Sequence, residues 1–478
     1  MPACPVSALP SINELPPALA AFVGFWFERC SSTERISDFS AFEAAIRDFS
    51  CAAEREFVQA ELERLDIEAP HVVVGGVVHR QVLRGPATYH TASGEVTVTR
   101  SLYRADEGQP AVVPMELRAG MVEGVWTPWA AKQVCWAIAQ LPSRSVSQMF
   151  EQMGLPMPSK SSLDRLPKRV STCWEEGRER FEEQVRIGLV VPEAAVSVGV
   201  SLDGVLVPMK DGGRAQKRAQ NQARGKPASG PAGYREVGCA TISLYDAQGE
   251  RLATVRQGRM PQKNKKDLKD WMVAELGFVL RQRPDLVVVK LADGARDNWT
   301  FLGGSRLPCG KCGYEVVDFY HAAEHLSRAL AAAYGEGTVR FQRRFKTLRG
   351  KLLRDEDGVE KVIRALRYLR SKHPKKDGIA KELGYFRRNR HRMTYALVKG
   401  LHLPIGSGVI EAACKTLATA RMKQSGMRWG PAGGQAVLTF RALVQSDRFD
   451  VAWTTLASTY RAEVSLPENV VQLNRRAA

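Results

Sequence analysis

The sequence predicts an α/β protein built on a mixed sheet, and three observations carry that reading. Strand-like runs recur at 195–202, 236–245, 252–257, 285–291 and 314–317, alternating in the first and mostly apolar, as in a buried parallel strand, at 285–291. Helical periodicity falls between and after these runs, at 265–282 and 319–334. The order is three strands, a helix, a strand, a short helix near Trp299, a strand and a helix. That is the order of the ribonuclease H-like topology.

The chain opens on a helical region, 1–66. Phe39, Phe42, Ile46 and Phe49 fall at three- and four-residue spacing, continued by Phe57, Leu62 and Leu65. Pro70 ends it. A small β unit follows at 67–118, with Val72–Val74, Val77-Val78 and Val96 to Tyr103 as strands, punctuated by Gly75-Gly76 and Gly85-Pro86. Residues 119–190 return to helix at 129–141, 145–153 and 159–166, where Pro167 ends or kinks the third. Gly154-Leu155-Pro156 makes the tight turn before that helix. Short helix, glycine turn and basic helix together resemble a helix-turn-helix, so Lys160, Arg165, Lys168 and Arg169 are expected to face DNA.

The α/β core begins at 191 and runs to 333, where a helical insertion spans 334–400. Between Arg340 and Lys399 lie 20 Lys and Arg against 6 Asp and Glu, a net +14. The whole chain of 478 residues carries +18, so most of the excess charge sits here. Leu353, Val362, Ile363, Leu366, Tyr368 and Leu369 give the segment helical spacing, which makes it folded structure and not a tail. A net charge this concentrated repels itself, and a polyanion offsets the repulsion. Arg343, Arg344, Arg387, Arg388 and Arg390 are therefore expected to contact DNA. The core resumes at 401–447 with the loop 404–408 and a helix at 409–420, for which Ser407 is a candidate cap. Lys415, Arg421, Lys423 and Arg428 add further basic positions. A terminal helix near 451–460 and a frayed end at 474–478 complete the region 448–478.

Hydrophobic content of 44% and charged content of 25% are ordinary for a globular protein, but an isoelectric point near 9.6 is not. No run approaches the ~20 apolar residues of a membrane span, and 19–27 lacks the flanks of a signal peptide. Nine scattered cysteines suit buried free thiols in a reducing cytoplasm.

Three carboxylates carry the chemistry. Asp203 ends the first core strand, with Gly204 after it as a turn. Asp293 ends the inner parallel strand, and Glu411 opens a late helix. A turn-capping role for Asp203 is the plain alternative to metal ligation. Sites in open α/β sheets form where strand ends diverge. Three carboxylates with no evident cationic partner repel one another unless a cation neutralises them, and hard oxygen donors select Mg²⁺ or Mn²⁺. Two such ions clamp the attacking and leaving oxygens of a phosphoryl displacement.

The segments Ser201-Leu202-Asp203-Gly204, Leu291-Ala292-Asp293-Gly294-Ala295, Asp318 to Leu326, Pro404 to Lys415 and Arg421 to Trp429 resemble those of the Kra-type insertion-sequence DDE transposases, more distantly the Mutator group. The resemblance covers roughly 195–450. It implies a ribonuclease H-like catalytic domain, an all-helical insertion before the last acidic residue, and cleavage and transfer of double-stranded DNA at transposon ends. It places the catalytic and metal-binding triad on Asp203, Asp293 and Glu411, and implies a bacterial cytoplasmic, nucleoid-associated protein. Pairing two DNA ends calls for a homo-oligomer.

Other readings stand beside it. Asp318 also ends a core strand and competes with Asp293 as second ligand, its other role being the cap of the helix that follows. His321 and His325 either contact phosphate, orient a ligand or pack on a helix face. His321-Ala-Ala-Glu324-His325 has the H-x-x-E-H spacing of a zinc peptidase. Cys309 and Cys312 form half a zinc site or a reduced turn. A DNA-binding protein that no longer cuts and a resolvase acting on branched DNA complete the alternatives.

Overall fold

The structure, a computed structural model, describes residues 15–106, 108–156, 158–210, 214–226, 233–310 and 312–467. The expected frayed end at 474–478 and the first fourteen residues of the N-terminal region lie outside these. The chain divides into two units, Met1–Phe181 with Asp450–Ala478, and Glu182–Phe449. Secondary structure is mixed α/β, with two sheets and many helices.

In the first unit, α1 (Pro17–Ser31) and α2 (Phe39–Leu65) form a hairpin joined by phenylalanine contacts such as Phe25 on Phe49, 4.8 Å between ring centres. Asp38 caps α2 by accepting from the Ala41 N–H at 3.1 Å. Strands β1 (His71–Val74), β2 (Val77–Thr91) and β3 (Gly94–Arg104) pair antiparallel, and Val464–Ser465 joins the free side of β1. Gly85-Pro86 does not punctuate the strands as expected: both lie inside β2, opposite Arg100 and Thr99. Beyond Arg80, β2 has β3 on one side only. Proline's missing donor costs nothing on that open edge.

Helices α3 (Pro114–Ala119), α4 (Pro128–Gln140), α5 (Ser143–Gln152) and α6 (Lys160–Glu176) follow. The turn between α5 and α6 uses Gly154 at φ 61, the left-handed region glycine enters freely. Pro167 does not end α6, which runs through it for nine more residues. Leu163, Leu166, Val170 and Trp174 bury one face of that helix, and this packing outweighs the single lost backbone bond. Lys160, Arg165, Lys168 and Arg169 occupy its exposed side.

After α7 (Arg178–Ile187), the second unit is organised on a five-stranded sheet. β4 (Ser197–Pro208), β5 (Tyr234–Tyr245) and β6 (Arg251–Arg259) form an antiparallel meander, with α8 (Arg214–Ala223) between the first two. Helix α9 (Lys266–Gln282) carries the chain to β7 (Val287–Ala292), which pairs parallel to β4. After α10 (Arg296–Leu302), β8 (Tyr314–Val317) pairs parallel to β7. The strand order is β6-β5-β4-β7-β8.

Helix α11 (Phe319–Tyr334) leads to α12 (Val339–Arg354), α13 (Gly358–Lys372), α14 (Asp377–Asn389) and α15 (Tyr395–Gly400). Their apolar faces, with Leu352, Ile363, Leu366, Ile379 and Phe386, join the same buried core as Val200, Leu291 and Leu326. The basic segment therefore shares the sheet's core and shows solvent its charged side. Arg343, Arg344, Arg387, Arg388 and Arg390 are all exposed.

A helical run then comprises α16 (Gly408–Ala413), a π-helical stretch Cys414–Thr419 and α17 (Ala420–Met422). Ile410, Ala413, Leu417 and Met422 pack against Val207, Val237 and Cys239 at the far end of β4 and β5. α18 (Pro431–Gln445) covers the same region through Leu438 and Ala442, and a last helix, Phe449–Ser458, follows.

Candidate functional site

Asp203 does not end its strand. β4 continues to Pro208, with Asp203 opposite Cys239 of β5. What ends near Asp203 is its other neighbour: the parallel pairing with β7 stops at Ser201 opposite Leu291. The carboxylate therefore sits where one edge of β4 is released and the other is held. Gly204 makes no turn. It lies in the strand opposite Gly238, and a Cβ there would meet the Glu236 carboxylate at 1.9 Å.

Asp293 follows the end of β7, as the sequence indicates. Its Oδ1 accepts from the Ala295 N–H and the Asn298 side-chain amide, each at 3.1 Å. No described residue donates to its Oδ2. Trp299 Nε1 fixes the Asp293 carbonyl at 2.6 Å. The next residue is glycine because Tyr385 of α14 lies over it, where a Cβ would meet the ring at 2.2 Å. Tyr385 is buried and its hydroxyl has no hydrogen-bond partner.

Asp203, Asp293 and Asn298 line one cleft. Burial raises the Asp203 pKa, and the charge of Asp293 raises it further; the Gly204 backbone, Lys265 and His321 pull the other way without reversing the rise. The Asp293 charge thus resists the ionisation of Asp203, a situation a bound cation relieves.

Glu411 reaches the same neighbourhood through packing. The Glu411 helix lies on the β4–β5 end, and one turn beyond Glu411 the Cys414 thiol donates to Asp203 Oδ2 at 3.8 Å. Ser407 does not cap the helix by a side-chain bond. Its hydroxyl instead donates to Glu411 Oε1 at 3.0 Å. The Glu411 side chain is half exposed.

The sequence leaves these carboxylates without a cationic partner, and the structure corrects that. His321 Nδ1 lies 3.3 Å from Asp318 Oδ1 and 3.7 Å from Glu411 Oε1. Its pKa is pushed up to about 9, first by the hydrogen bond to Asp318, against burial, and then by the charges of Asp318, Glu324 and Glu411. Lys265 adds a second cation, 2.8 Å from Glu236. The i,i+4 spacing of two histidines hides this link, because His321 reaches a residue ninety positions later in the chain.

Asp318 is fully buried and caps α11. Its Oδ1 accepts from the His321 N–H at 2.6 Å and its Oδ2 from the Ser407 N–H. Burial alone would raise its pKa, but the bonds from His321 and Ser407 outweigh burial and hold it below the usual range. Asp318, His321 and Glu411 have one potential ligand atom each within 4.8 Å of one another, the one such group among the described residues. Hard carboxylate donors, an Asp293 oxygen without a protein donor and an orphaned Tyr385 hydroxyl nearby suit an oxygen-liganded divalent cation with its waters.

His325 is turned to another task. It bonds Glu382 through Nδ1 and stacks on Tyr385 at 3.4 Å between ring centres. The two histidines of the H-x-x-E-H motif thus serve different carboxylates. Cys309 and Cys312 lie on a turn closed by the Cys312 N–H to the Cys309 carbonyl at 3.0 Å, and all eight described cysteines are free thiols.

Of the remaining basic positions, Lys415, Lys423 and Arg428 are exposed. Arg421 is not: it is buried, with its guanidinium 5.3 Å from the Trp429 ring centre. Trp429 is itself pinned to the end of β4 by its N–H on the Pro208 carbonyl at 3.0 Å, which draws Arg421 inward.

A pH prediction follows from His321 and Asp318. A raised histidine pKa contributes stability that is complete below its ordinary 6.5 and lost as pH rises through about 9. A depressed aspartate pKa contributes above its ordinary 3.8 and is lost as pH falls through the lowered value. In chelator, the melting temperature should therefore fall between pH 6.5 and 9 by roughly 2 °C more for the wild type than for His321→Gln, after discount for its one-third exposure. Parallel melting curves for the two would show that His321 is neutral in the fold.

No helix among the described residues is long and apolar enough to cross a membrane. No known protein-family model matches the chain, and no curated protein matches it. Among solved structures, the Drosophila P element transposase strand transfer complex is similar at a TM-score of 0.24 and 14% identity, over 69% of this chain and 83% of that one.

Proposed function

We propose that this chain is a DNA transposase of the DDE class, built on a ribonuclease H-like core. In this reading it binds the terminal inverted repeats of an insertion sequence and cuts and transfers their strands. The observation that carries the reading is that Asp203 and Asp293 line one cleft while the helical run that begins with Glu411 packs on the same sheet and sets its Cys414 thiol on Asp203. The strand order supports it, with Asp203 and Asp293 at the point where β4 and β7 part.

Asp203, Asp293 and Glu411 would hold Mg²⁺ or Mn²⁺, which when bound supplies positive charge to both oxygens exchanged at phosphorus. The chain's own groups do the positioning. Asn298 and the Ala295 N–H fix one Asp293 oxygen, the Cys414 thiol bonds Asp203, and Ser407 holds Glu411. Protonated His321, beside Glu411, can donate to a phosphate oxygen and offset its charge. Asp318 acts as the cap of α11 and as the anchor of His321 and of the Ser407 backbone. In this reading Asp293 is the second ligand. The α5–α6 pair, with Arg165 and Lys168 exposed, is the proposed reader of the repeat sequence, and a homo-oligomer would bring two ends together.

The test is to incubate the full chain and Mg²⁺ with linear DNA carrying the inverted repeats that flank its coding frame. A new strand end at the repeat boundary, abolished by chelator, is expected; intact DNA at every divalent ion tried would overturn the reading. The basic helices give a separate expectation. Arg387, Arg388 and Arg390 changed together to Ala should weaken binding to all sequences alike and reduce the salt slope by up to ~0.9 per lost phosphate contact. Loss confined to one sequence at unchanged slope would count against phosphate contact.

A further inference from the structure

The cleft that holds Asp203 and Asp293 continues into a wall of cations, about 900 Å³ in all. Lys263, Lys266 and Lys269 line it with Arg306. This wall belongs to neither the basic helical insertion nor the α5–α6 pair. Lys269 sits among cations, and its pKa is lowered by burial and by the charges of Lys265 and Arg306. Asp270 pairs with two members of the wall, 2.8 Å from Lys266 and 2.5 Å from Arg306.

The backbone that presents these lysines is unusual. Asn264 and Lys265 are consecutive non-glycine residues in the left-handed region, at φ 58 and φ 50. Such conformations persist where the surrounding structure enforces them, and they concentrate at functional sites. The turn sets Lys263 and Lys266 on either side of it, while Lys265 turns toward Glu236 and Asp203. One end of the cleft thus favours a cation, and the other a run of anions.

We propose that this wall binds the sugar–phosphate backbone of one unpaired polynucleotide strand and leads it to the carboxylates. The inference rests on the transposase reading for the identity of the reaction, but Lys263, Lys266 and Lys269 are not among the reacting groups. The cleft is walled by a helix start, a strand pair and a short helix, and its volume of about 900 Å³ takes a few nucleotides of one strand but not the width of a duplex. Spaced lysines recognise phosphates as point charges and need no base sequence. The strand beside the scissile phosphodiester is the occupant with this chemistry.

The experiment uses the full chain in chelator and fluorescein-labelled (dT)10, with a 20-base-pair duplex of random sequence as comparison. Lys263, Lys266 and Lys269 are changed together to Ala, and in a second variant together to Arg. The alanine variant should bind (dT)10 at least tenfold more weakly, with a salt slope reduced by about 0.7 per lost contact, and the duplex within twofold of wild type. The arginine variant should recover (dT)10 binding, which a folding defect would not allow. Unchanged (dT)10 affinity in the alanine variant, or an equal loss on the duplex, overturns the strand site. Nicking by the wild type in Mg²⁺ separates the two readings. If the wild type never nicks but the alanine variant loses (dT)10, the strand site stands and the transposase reading falls. If the wild type nicks and the alanine variant keeps both activities, the strand site falls alone.

Discussion

Glu411→Gln should leave end-DNA binding within a few-fold of wild type and lower Mg²⁺-dependent nicking by about a thousandfold. Several kcal/mol of transition-state stabilisation depend on the metal centre, and each ~1.4 kcal/mol is tenfold in rate. Glutamine keeps the acceptor that Ser407 uses, and the side chain is half exposed, so the fold has little reason to respond. Removing the charge also removes one of the groups that raise the His321 pKa, so the imidazole should titrate lower in the variant by NMR. Asp203→Asn and Asp293→Asn should match the loss of cleavage. Double variants should be hardly worse than singles, since a metal centre fails once. Near-normal nicking by folded Glu411→Gln protein would sink the triad assignment.

Asp318 should fail differently. Asp318→Ala removes the cap of α11, the acceptor for the Ser407 N–H and the partner of a charged histidine, all at a fully buried position. His321 is one-third exposed, so the pair alone counts for little, but losing the cap and the acceptor of the Ser407 N–H with it costs about 3–5 kcal/mol together. At 2–4 °C per kcal/mol this is a fall of roughly 10 °C in melting temperature. Asn is a good cap, so Asp318→Asn should keep most of that stability and lose less cleavage than Asp293→Asn. Melting curves and nicking rates for Asp318→Ala, Asp318→Asn and Asp293→Asn decide the matter. A stable Asp318→Asn protein as inactive as Asp203→Asn would make Asp318 the ligand and exchange its role with that of Asp293.

Much of the second unit was legible in the residues themselves. The alternation at Val196, Val198 and Val200 marks a strand because side-chain direction has period two, and the short, mostly apolar run into Asp293 marks one buried on both faces. The helical spacing within the basic segment is equally local, so its helices and its charged exposed side follow without tertiary knowledge. Asp318 ahead of a helix reads as a cap because capping depends on the next three residues only.

What the sequence could not decide depends on which elements become neighbours. The run through Asp203 looks like a strand end because Gly204 follows it, but pairing with β5 carries β4 on to Pro208. Pro167 looks like a stop, but a buried helix face holds α6 through it. Arg421 resembles its exposed basic neighbours until Trp429 folds back on the end of β4. The tie from His321 to Glu411 spans ninety residues and exists only because the Glu411 helix packs against the sheet. The lysine wall depends on two left-handed residues in a Lys-rich turn, which no periodicity announces. The sequence by itself determined the elements, their order and the carboxylates that stand out among them. The tertiary structure alone decided which of those groups share one electrostatic environment, because burial and charge pairing act through space and not along the chain.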